Sequence, residues 1–525
     1  MNVIQLKNFR RFPDDQFYKI PFKDITILVG KNNSGKSTMV KALLLILEYL
    51  KSDSVANFDF ANKNLENTNI VTFGRAKNKH SHNNTISFAL TFEGFTIELD
   101  ITGEDDDTSC QVKFVRISAH ESDNVSMGYL HEFTILPKER KVIFSRSKVS
   151  MPKKFTAITS EKDEELQKEI EKIKTQINLL KEDLPTLEKS SKEFIEKNQT
   201  LKKIEDNIKV LRRYLDKKED IQKDEYRFEL DYLNDNSIEN ILSETSDNAA
   251  RMTKERVKKI TGKHARSANE PFSDYMAFKS QNSNVNSLLD YIFKSIKDLN
   301  IYYLPSNPAK QSALFRIKDK QNALAQSIHE YYQIVSKFKS GETYRFVKEW
   351  MDNDNGFEIG EDLEIIFRAS EAYEVNIIER DKGIPLADKG MGSIQAMLLI
   401  MRIAVIIEKT QKEKYTPLVV IEEPELNLHP KLQSRLCDFF LQVHEKYNIK
   451  FIIESHSEYL IRKSQIWVKK REYQHETNSN PFSISYFDKT WDNIYQMIYR
   501  QDGIFENEFG EGFYDESAKM TIEML

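Results

Sequence analysis

The sequence predicts an α/β protein, with mixed and parallel sheets covered by helices and one inserted helical, antiparallel coiled-coil region. Three observations predict it. The apolar run Ile25-Thr26-Ile27-Leu28-Val29 passes through Gly30-Lys31-Asn32-Asn33-Ser34-Gly35-Lys36-Ser37-Thr38 into a helical stretch, Met39 to Leu50. A second apolar strand, Pro417 to Ile421, is followed by a helix from about Pro430 to Lys446 and a third strand, Ile449 to Glu454, which makes one βαβ unit. Between these halves, apolar residues switch to heptad spacing.

The glycine-rich turn matches G-x-x-x-x-G-K-[ST] in the strand–turn–helix context that a phosphate-binding loop requires. Gly30 and Gly35 let the backbone curl, so that the N–H groups of Asn32, Asn33 and Ser34 and the helix start at Thr38 face an anion. Lys36 is placed to reach the β- and γ-phosphates, and the Ser37 hydroxyl to ligate Mg²⁺. The expected ligand is a nucleoside triphosphate.

With 525 residues the chain exceeds one ordinary core, and two or three structural units are expected. Charged residues make up 30%, and the net charge of −5 gives no global attraction to nucleic acid. Basic runs at Arg251 to Arg266 and Arg462 to Arg471 read as solvated faces that could touch phosphate backbones. Two cysteines, Cys110 and Cys437, make neither a disulfide framework nor a metal cluster, which points to a reducing compartment. The most apolar stretch, Ala396 to Ile407, carries Arg402 and falls short of the ~20 residues that span a bilayer. With no signal-peptide layout at the N-terminus, a cytoplasmic protein without a membrane partner is expected.

Along the chain, Asn2 to Phe12 alternates apolar and polar residues as a sheet edge would, and Thr85 to Leu99 is a second β-rich stretch between the polar loops Asn78 to Asn84 and Gly103 to Ser109. His80 and His82 lack a nearby cysteine or third histidine, so they read as loop rather than as a metal or HNH-type nuclease site. Leu166, Ile170, Ile173, Ile177, Leu180, Leu184 and Leu187 follow a 4-3 spacing, and Phe194, Leu201, Ile204, Ile208, Leu211 and Leu215 form a second row out of phase with the first. Pro185-Thr186 and Lys189-Ser190-Ser191 lie between them. An antiparallel hairpin with arms of ~30 Å is preferred to one helix with a stutter. Residues from 225 to 340 read as further helices, with a break at Tyr302-Tyr303-Leu304-Pro305.

The strand Leu418-Val419-Val420-Ile421 delivers Glu422 and Glu423 at its C-terminal end, where a Mg²⁺–nucleotide site sits at the edge of a parallel sheet. Glu422 takes the metal-holding position, and Glu423 is placed to deprotonate an attacking water. The βαβ unit puts His456, in Ser455-His456-Ser457, at the same edge. Upstream, Gly392 and Ser393 open the apolar helix that begins near Ala396, making a second anion cradle. Two cradles in one chain make sense if one completes the site of a neighbouring subunit.

Together, the phosphate loop, the glycine-rich signature Lys389-Gly390-Met391-Gly392-Ser393, Ile421-Glu422-Glu423-Pro424-Glu425-Leu426-Asn427-Leu428-His429-Pro430 and Ser-His-Ser resemble a two-lobed ABC-type P-loop ATPase head. More narrowly, they resemble the RecF/SMC-like and OLD-like branch, including ATPases of the bacterial anti-phage systems Septu, PARIS and Gabija. Lys7-Asn8-Phe9-Arg10-Arg11-Phe12 is similar to that branch, and Gly510-Glu511-Gly512-Phe513-Tyr514-Asp515 to the tail of a related ATPase group.

The resemblance implies ATP and Mg²⁺ at Lys36 and Ser37, metal support from Glu422, and Glu423 as general base. It also implies His456 as γ-phosphate sensor, Gly392 and Ser393 touching the γ-phosphate in trans, and Asn427 to His429 in the loop between paired sites. A metal-linked glutamine usual after the first lobe is missing, and Thr72-Phe73-Gly74 is the candidate stand-in.

The implied organisation is an N-terminal lobe at 1–155, a coiled-coil hairpin at 156–225, a helical middle at 226–340, a C-terminal lobe at 341–495 and a tail at 496–525. The implied assembly is a homodimer or higher even-numbered homo-oligomer. OLD-like enzymes carry a TOPRIM nuclease beyond the head. The 69 residues after His456 (525 minus 456) hold no Asp-x-Asp pair, so a separately encoded nuclease, TOPRIM or HNH effector is expected. DNA or RNA is a further possible partner. The alternative is a RecF/SMC-like repair ATPase that binds DNA.

Overall fold

The computed structural model describes residues 2–62, 68–119, 129–148, 225–230, 236–261, 278–306, 312–320, 322–334, 341–413, 415–471, 480–488, 494–510, 513 and 516–524, with parts of 171–205. The N-terminal segment β1 (Val3–Lys7) alternates buried and half-buried residues and pairs with β2 (Tyr18–Pro21). Next, β3 (Ile25–Gly30) is buried at all six positions and runs into α1 (Lys36–Leu50). After β4 (Asn57–Asp59) and the one-turn α2 (Phe73–Ala76) come β5 (Thr85–Phe92), β6 (Phe95–Thr102), β7 (Ser109–Ala119), β8 (Tyr129–Leu136) and β9 (Lys141–Lys148), with β6 to β9 each antiparallel to the strand before it. Beyond the insertion, β10 (Glu225–Glu229) returns to pair with β9.

These strands form a nine-stranded sheet in the order β10-β9-β8-β7-β6-β5-β1-β2, with β4 on β7. The sequence places β1 at a sheet edge. In the structure it lies between β5 and β2. Alternation reports one covered face, not a free edge.

Residues 226–340, read as helical, contribute to all three sheets. The helices α3 (Ile238–Thr261) and α4 (Phe278–Lys297) bury Ile241, Leu242, Leu289 and Ile292 in the core shared by the nine-stranded sheet and α1. Then β11 (Asn300–Leu304) takes the position expected to be a break, and β12 (Phe315–Arg316) precedes α5 (Ala323–Ile334) and α6 (Glu342–Met351). Strands this short, without a run of alternation, carry little periodic signal. A four-stranded sheet follows, in which β14 (Ala372–Glu379) pairs with β12, β13 (Asp362–Arg368) and β15 (Lys382–Pro385).

The helix α7 (Met391–Glu413) is 23 residues long and, among the described residues, the one helix long and apolar enough to cross a membrane, which the shorter stretch read from sequence did not anticipate. Its apolar window is 72% buried, so core packing accounts for its composition. Arg402 is satisfied by Glu330 of α5 at 3.1 Å.

The chain continues through β16 (Pro417–Glu422), α8 (Pro430–Tyr447), β17 (Lys450–Glu454), α9 (Glu458–Arg471), β18 (Phe482–Phe487), β19 (Ile494–Met497) and α10 (Glu516–Glu523). The central sheet has the order β11-β16-β17-β3-β18-β19, parallel throughout except for β19. The phosphate-loop strand β3, from the start of the chain, therefore sits between two strands from its far end. Leu28, Val420 and Ile452 project into the core of the nine-stranded sheet. Ile27, Val419 and Ile453 project into a second core, built on α7 and α8. Both faces are covered, which is why β3, β16 and β17 read as unbroken apolar runs.

In the inserted region, Lys181 Nζ lies 2.8 Å from Glu205 Oε1, and Ile177 and Leu201 are buried, so the two apolar rows lie side by side there. The other seam positions, except Ile204, fall outside the described residues. His80 and His82 lie in the loop before β5. In the basic run on α9, Arg462, Lys463 and Arg471 pair with Glu458, Asp438 and Glu445. Cys110 and Cys437 are buried free thiols. In the tail, Phe509 and Phe513 pack on Tyr486 of β18.

Candidate active site

Five parallel strands place their C-terminal ends along one edge, and the loop after β3 lies in the middle of it. Gly30 adopts φ 140°, and a Cβ there would come within 2.1 Å of the Phe487 carbonyl oxygen, so the turn can leave β3 only at a glycine. Gly35, at φ 112°, caps α1 without a side-chain hydrogen bond, and no acid occupies the first turn. The first amides of α1 are thus left open to an anion. Asn32 and Asn33 are exposed, with Asn33 left-handed at φ 61°. Ser34 Oγ is buried without a partner, and Thr38 is buried.

Lys36 curls over this loop, donating to the carbonyls of Gly30 and Lys31 at 3.1 Å each. Burial pulls its pKa down, against the opposing charges of Glu454, Glu423 and Glu425. A lysine this enclosed that bonds only carbonyl oxygens can turn to phosphate oxygens at little desolvation cost.

The acids arrive from two neighbouring strands. Glu422 ends β16 in register with Glu454 at the end of β17. Glu423 follows in the left-handed region at φ 47°, and its N–H donates to the Glu454 carbonyl at 2.7 Å. A non-glycine residue held this way stores strain that the surrounding structure must enforce. His456 Nε2 lies 3.8 Å from Glu423 Oε1. Loss of solvent, and then the Lys36 charge, push the imidazole pKa below its ordinary value, so the ring is neutral at pH 7 with a third of its side chain open to solvent.

The other cradle is built on a different helix. Gly392 and Ser393 are half-buried at the start of α7. A Cβ on Gly392 would lie 2.7 Å from the Asn427 carbonyl oxygen, so this helix start sits on the turn after β16. His429 accepts from the Lys431 N–H as the N-cap of α8. Among the described residues no hydrogen bond joins Gly392 or Ser393 to the phosphate loop.

Glu422 Oε1 and Glu454 Oε2 are buried with no hydrogen-bond partner. Hard oxygens of this kind beside a serine hydroxyl suit Mg²⁺. Among the described residues no group of three or more His, Cys, Asp or Glu side chains closes on a metal position by itself. The donor set therefore fits a divalent ion that brings phosphate oxygens with it.

The family profile of the AAA ATPase domain matches residues 1–461. The chain belongs to the AAA ATPase domain family. No curated protein matches it. It is similar to the Smc head domain with an extended coiled coil bound to the C-terminal domain of ScpA from Pyrococcus furiosus, at 10% identity over 100% of this chain and 98% of that one, TM-score 0.34. It is also similar to the Smc head domain with a coiled coil and joint from Pyrococcus yayanosii, at 12% identity over 100% and 99% of the two chains, TM-score 0.33. These likenesses are slight, and the family assignment rests on the profile match.

Within this ATPase domain, two acids escaped the sequence reading. Glu454 Oε1 accepts the Ser37 hydroxyl at 2.8 Å, and burial, then the charge of Glu422, raises its pKa to about 7. Glu425, 8% exposed, accepts the His456 N–H at 2.5 Å. The available signal was an acid closing each apolar strand or its turn. Tyr303 of β11 lies beside Glu422, and burial followed by that charge raises its pKa, keeping the phenol protonated. Thr72-Phe73-Gly74 turns elsewhere: Phe73 and Gly74 donate to the Asp107 and Asp105 carbonyls, and no hydrogen bond joins them to the site acids among the described residues.

Proposed function

We propose that this ATPase domain binds Mg²⁺–ATP in the loop after β3 and hydrolyses it as a paired head, in a bacterial anti-phage complex whose separately encoded effector cuts nucleic acid. The observation that supports the chemistry best is the meeting of Lys36, Ser37, Glu422, Glu423 and His456 at one sheet edge, with Glu423 and His456 at 3.8 Å.

Lys36 leaves the loop carbonyls for the β- and γ-phosphates. The amides at the start of α1 hold the remaining oxygens, and Ser34 Oγ lies among them. Ser37 and Glu422 would hold Mg²⁺, which would supply neutralisation of the charge on the departing γ-phosphate. Glu423 takes the proton of the attacking water. The neutral His456 ring orients against the γ-phosphate. Gly392 and Ser393, which make no hydrogen bond to the phosphate loop of their own chain among the described residues, close over the partner copy's nucleotide, so ATP joins two heads and hydrolysis parts them. The resemblance to Septu, PARIS and Gabija ATPases supports the defence setting.

The test is ATP turnover by the purified chain, with light scattering with and without ATP and an intact-plasmid control. Mg²⁺-dependent turnover with ATP-driven pairing and uncut plasmid supports the reading. Full-rate turnover by a monomer, or metal-dependent cleavage by the chain alone, overturns it. Duplex DNA that stimulates turnover in a salt-sensitive manner, without protection of cells against phage, favours the repair alternative.

A further inference from the structure

The turn after β16 touches both cradles. Leu426 N–H donates to the Glu423 carbonyl at 3.2 Å and Leu428 N–H to the Glu425 carbonyl at 3.0 Å, which closes the turn on itself. On one side Glu425 reaches under the histidine loop, where its Oε1 accepts the His456 N–H. On the other, Asn427, left-handed at φ 62°, offers the carbonyl oxygen against which Gly392 is packed. Only a glycine at 392 permits that approach.

Glu425 is an expensive residue here. It is 8% exposed and its Oε2 is buried without a geometric hydrogen-bond partner; burial raises its pKa, against the His456 and Glu425 N–H groups and the Ser455 side chain, and the charge of Glu423 adds a smaller push upward. Burying a carboxyl group with an oxygen unpaired destabilises a fold. A shorter or apolar residue would fill the space without that cost, but none would reach the His456 amide. The Ser457 side chain caps α9 through the Leu460 N–H and donates to Gln433 Oε1 of α8 at 2.7 Å, so the far end of the histidine loop is held independently. At the near end the Ser455 N–H is tied to the Leu28 carbonyl of β3 at 3.0 Å, and Glu425 adds the contact to His456 itself.

We propose that Glu425 is a positioning residue that ties the His456 loop to the Asn427 turn, so that contact between His456 and a phosphate in its own site is carried to the start of α7, which faces the partner copy. The link is short and buried: His456 N–H, Glu425 carboxylate, the closed turn, the Asn427 carbonyl, Gly392. This inference rests on the ATPase reading above and adds a route by which the two sites of a pair sense each other.

The experiment compares E425A and E425Q with the full-length wild type, measuring ATP affinity with a fluorescent analogue, kcat, and ATP-driven pairing. Glutamine keeps an oxygen for the His456 N–H and alanine does not. In E425A, kcat falls at least about tenfold through misplacement of His456, and ATP-driven pairing weakens, while affinity stays within about threefold of wild type. E425Q recovers most of both losses. If E425A does not fold, E425N, whose carbonyl is one methylene too short, takes its place. Turnover and pairing of E425A at wild-type levels overturn the inference alone, as does equal impairment of E425A and E425Q. A wild type that neither hydrolyses ATP nor pairs overturns the ATPase reading, and this inference with it.

Discussion

Ser37 Oγ donates a 2.8 Å hydrogen bond to Glu454 Oε1 across a separation of 417 residues. One residue is the second of α1, and the other ends β17, the strand beside β3. The hydroxyl proposed to hold a divalent ion is thus already directed at an acid whose second oxygen is free, and the site is organised before any nucleotide arrives.

Lys36 makes the only side-chain hydrogen bonds to the loop's own carbonyls among the described residues. Lys36→Ala should weaken ATP binding by about 100-fold or more, the scale of losing a charge-assisted contact in an enclosed site. Calorimetry on the folded variant checks this. Affinity near that of wild type would remove Lys36 from the phosphate site.

Glu423 is held in a strained turn beside His456. Glu423→Gln keeps the shape and removes the base, so kcat should drop by about 10² to 10⁴-fold while ATP still binds and paired heads accumulate. Persisting turnover would assign the base to another acid of the site.

Ser393 lies half-buried at the start of α7, with no hydrogen bond to the phosphate loop of its own chain among the described residues. Ser393→Arg should leave ATP affinity within about threefold and stop ATP-driven pairing, because bulk at a close interface costs far more than at an open surface. Size-exclusion with light scattering reads the outcome, and a variant that still pairs argues against the trans arrangement.

Glu454 has its pKa raised to about 7 by burial, from an ordinary value of 4.5. A raised folded-state pKa means that the folded protein binds more protons than the unfolded chain between these values. This contribution to stability is fully present below pH 4.5 and is lost as pH rises through 7. Glu454→Gln lacks it, so the melting temperature of the variant relative to wild type should climb from pH 4.5 to pH 8. A difference that does not vary with pH would mean that folding does not raise the Glu454 pKa.

Gly30 combines φ 140° with a carbonyl 2.1 Å from where a Cβ would lie. Gly30→Ala should destabilise the protein by about 2 kcal/mol or more, since alanine is strained at positive φ and must also push β18 away. Denaturant titration measures this, and a neutral result would show that β18 yields.

How much was legible in the chain follows from distance along it. The phosphate loop is a contiguous motif, and its strand, turn and helix appear where the local pattern places them. The unit from Pro417 to Glu454 was equally readable, because its alternation of element types is local. By contrast, the residues of β11 read as a break: Ile301-Tyr302-Tyr303-Leu304 is too short for a period, and only its parallel pairing with β16 makes it a strand. The helical reading of 226–340 failed for the same reason at β10 and β12, whose partners lie in other parts of the chain.

The amino-acid sequence by itself determined the local chemistry: a glycine turn that can cradle phosphate, a lysine and serine at its end, and acids closing an apolar strand. Only the tertiary structure decided which of these meet. Parallel pairing inserts β3 between β17 and β18, and that brings Glu454 to Ser37 and Lys36 among three acids, while the pairing of β16 with β17 brings Glu425 to His456. Backbone hydrogen bonding between strands carries no mark in the residues that make it, so a partner hundreds of positions away is invisible until the sheet has formed.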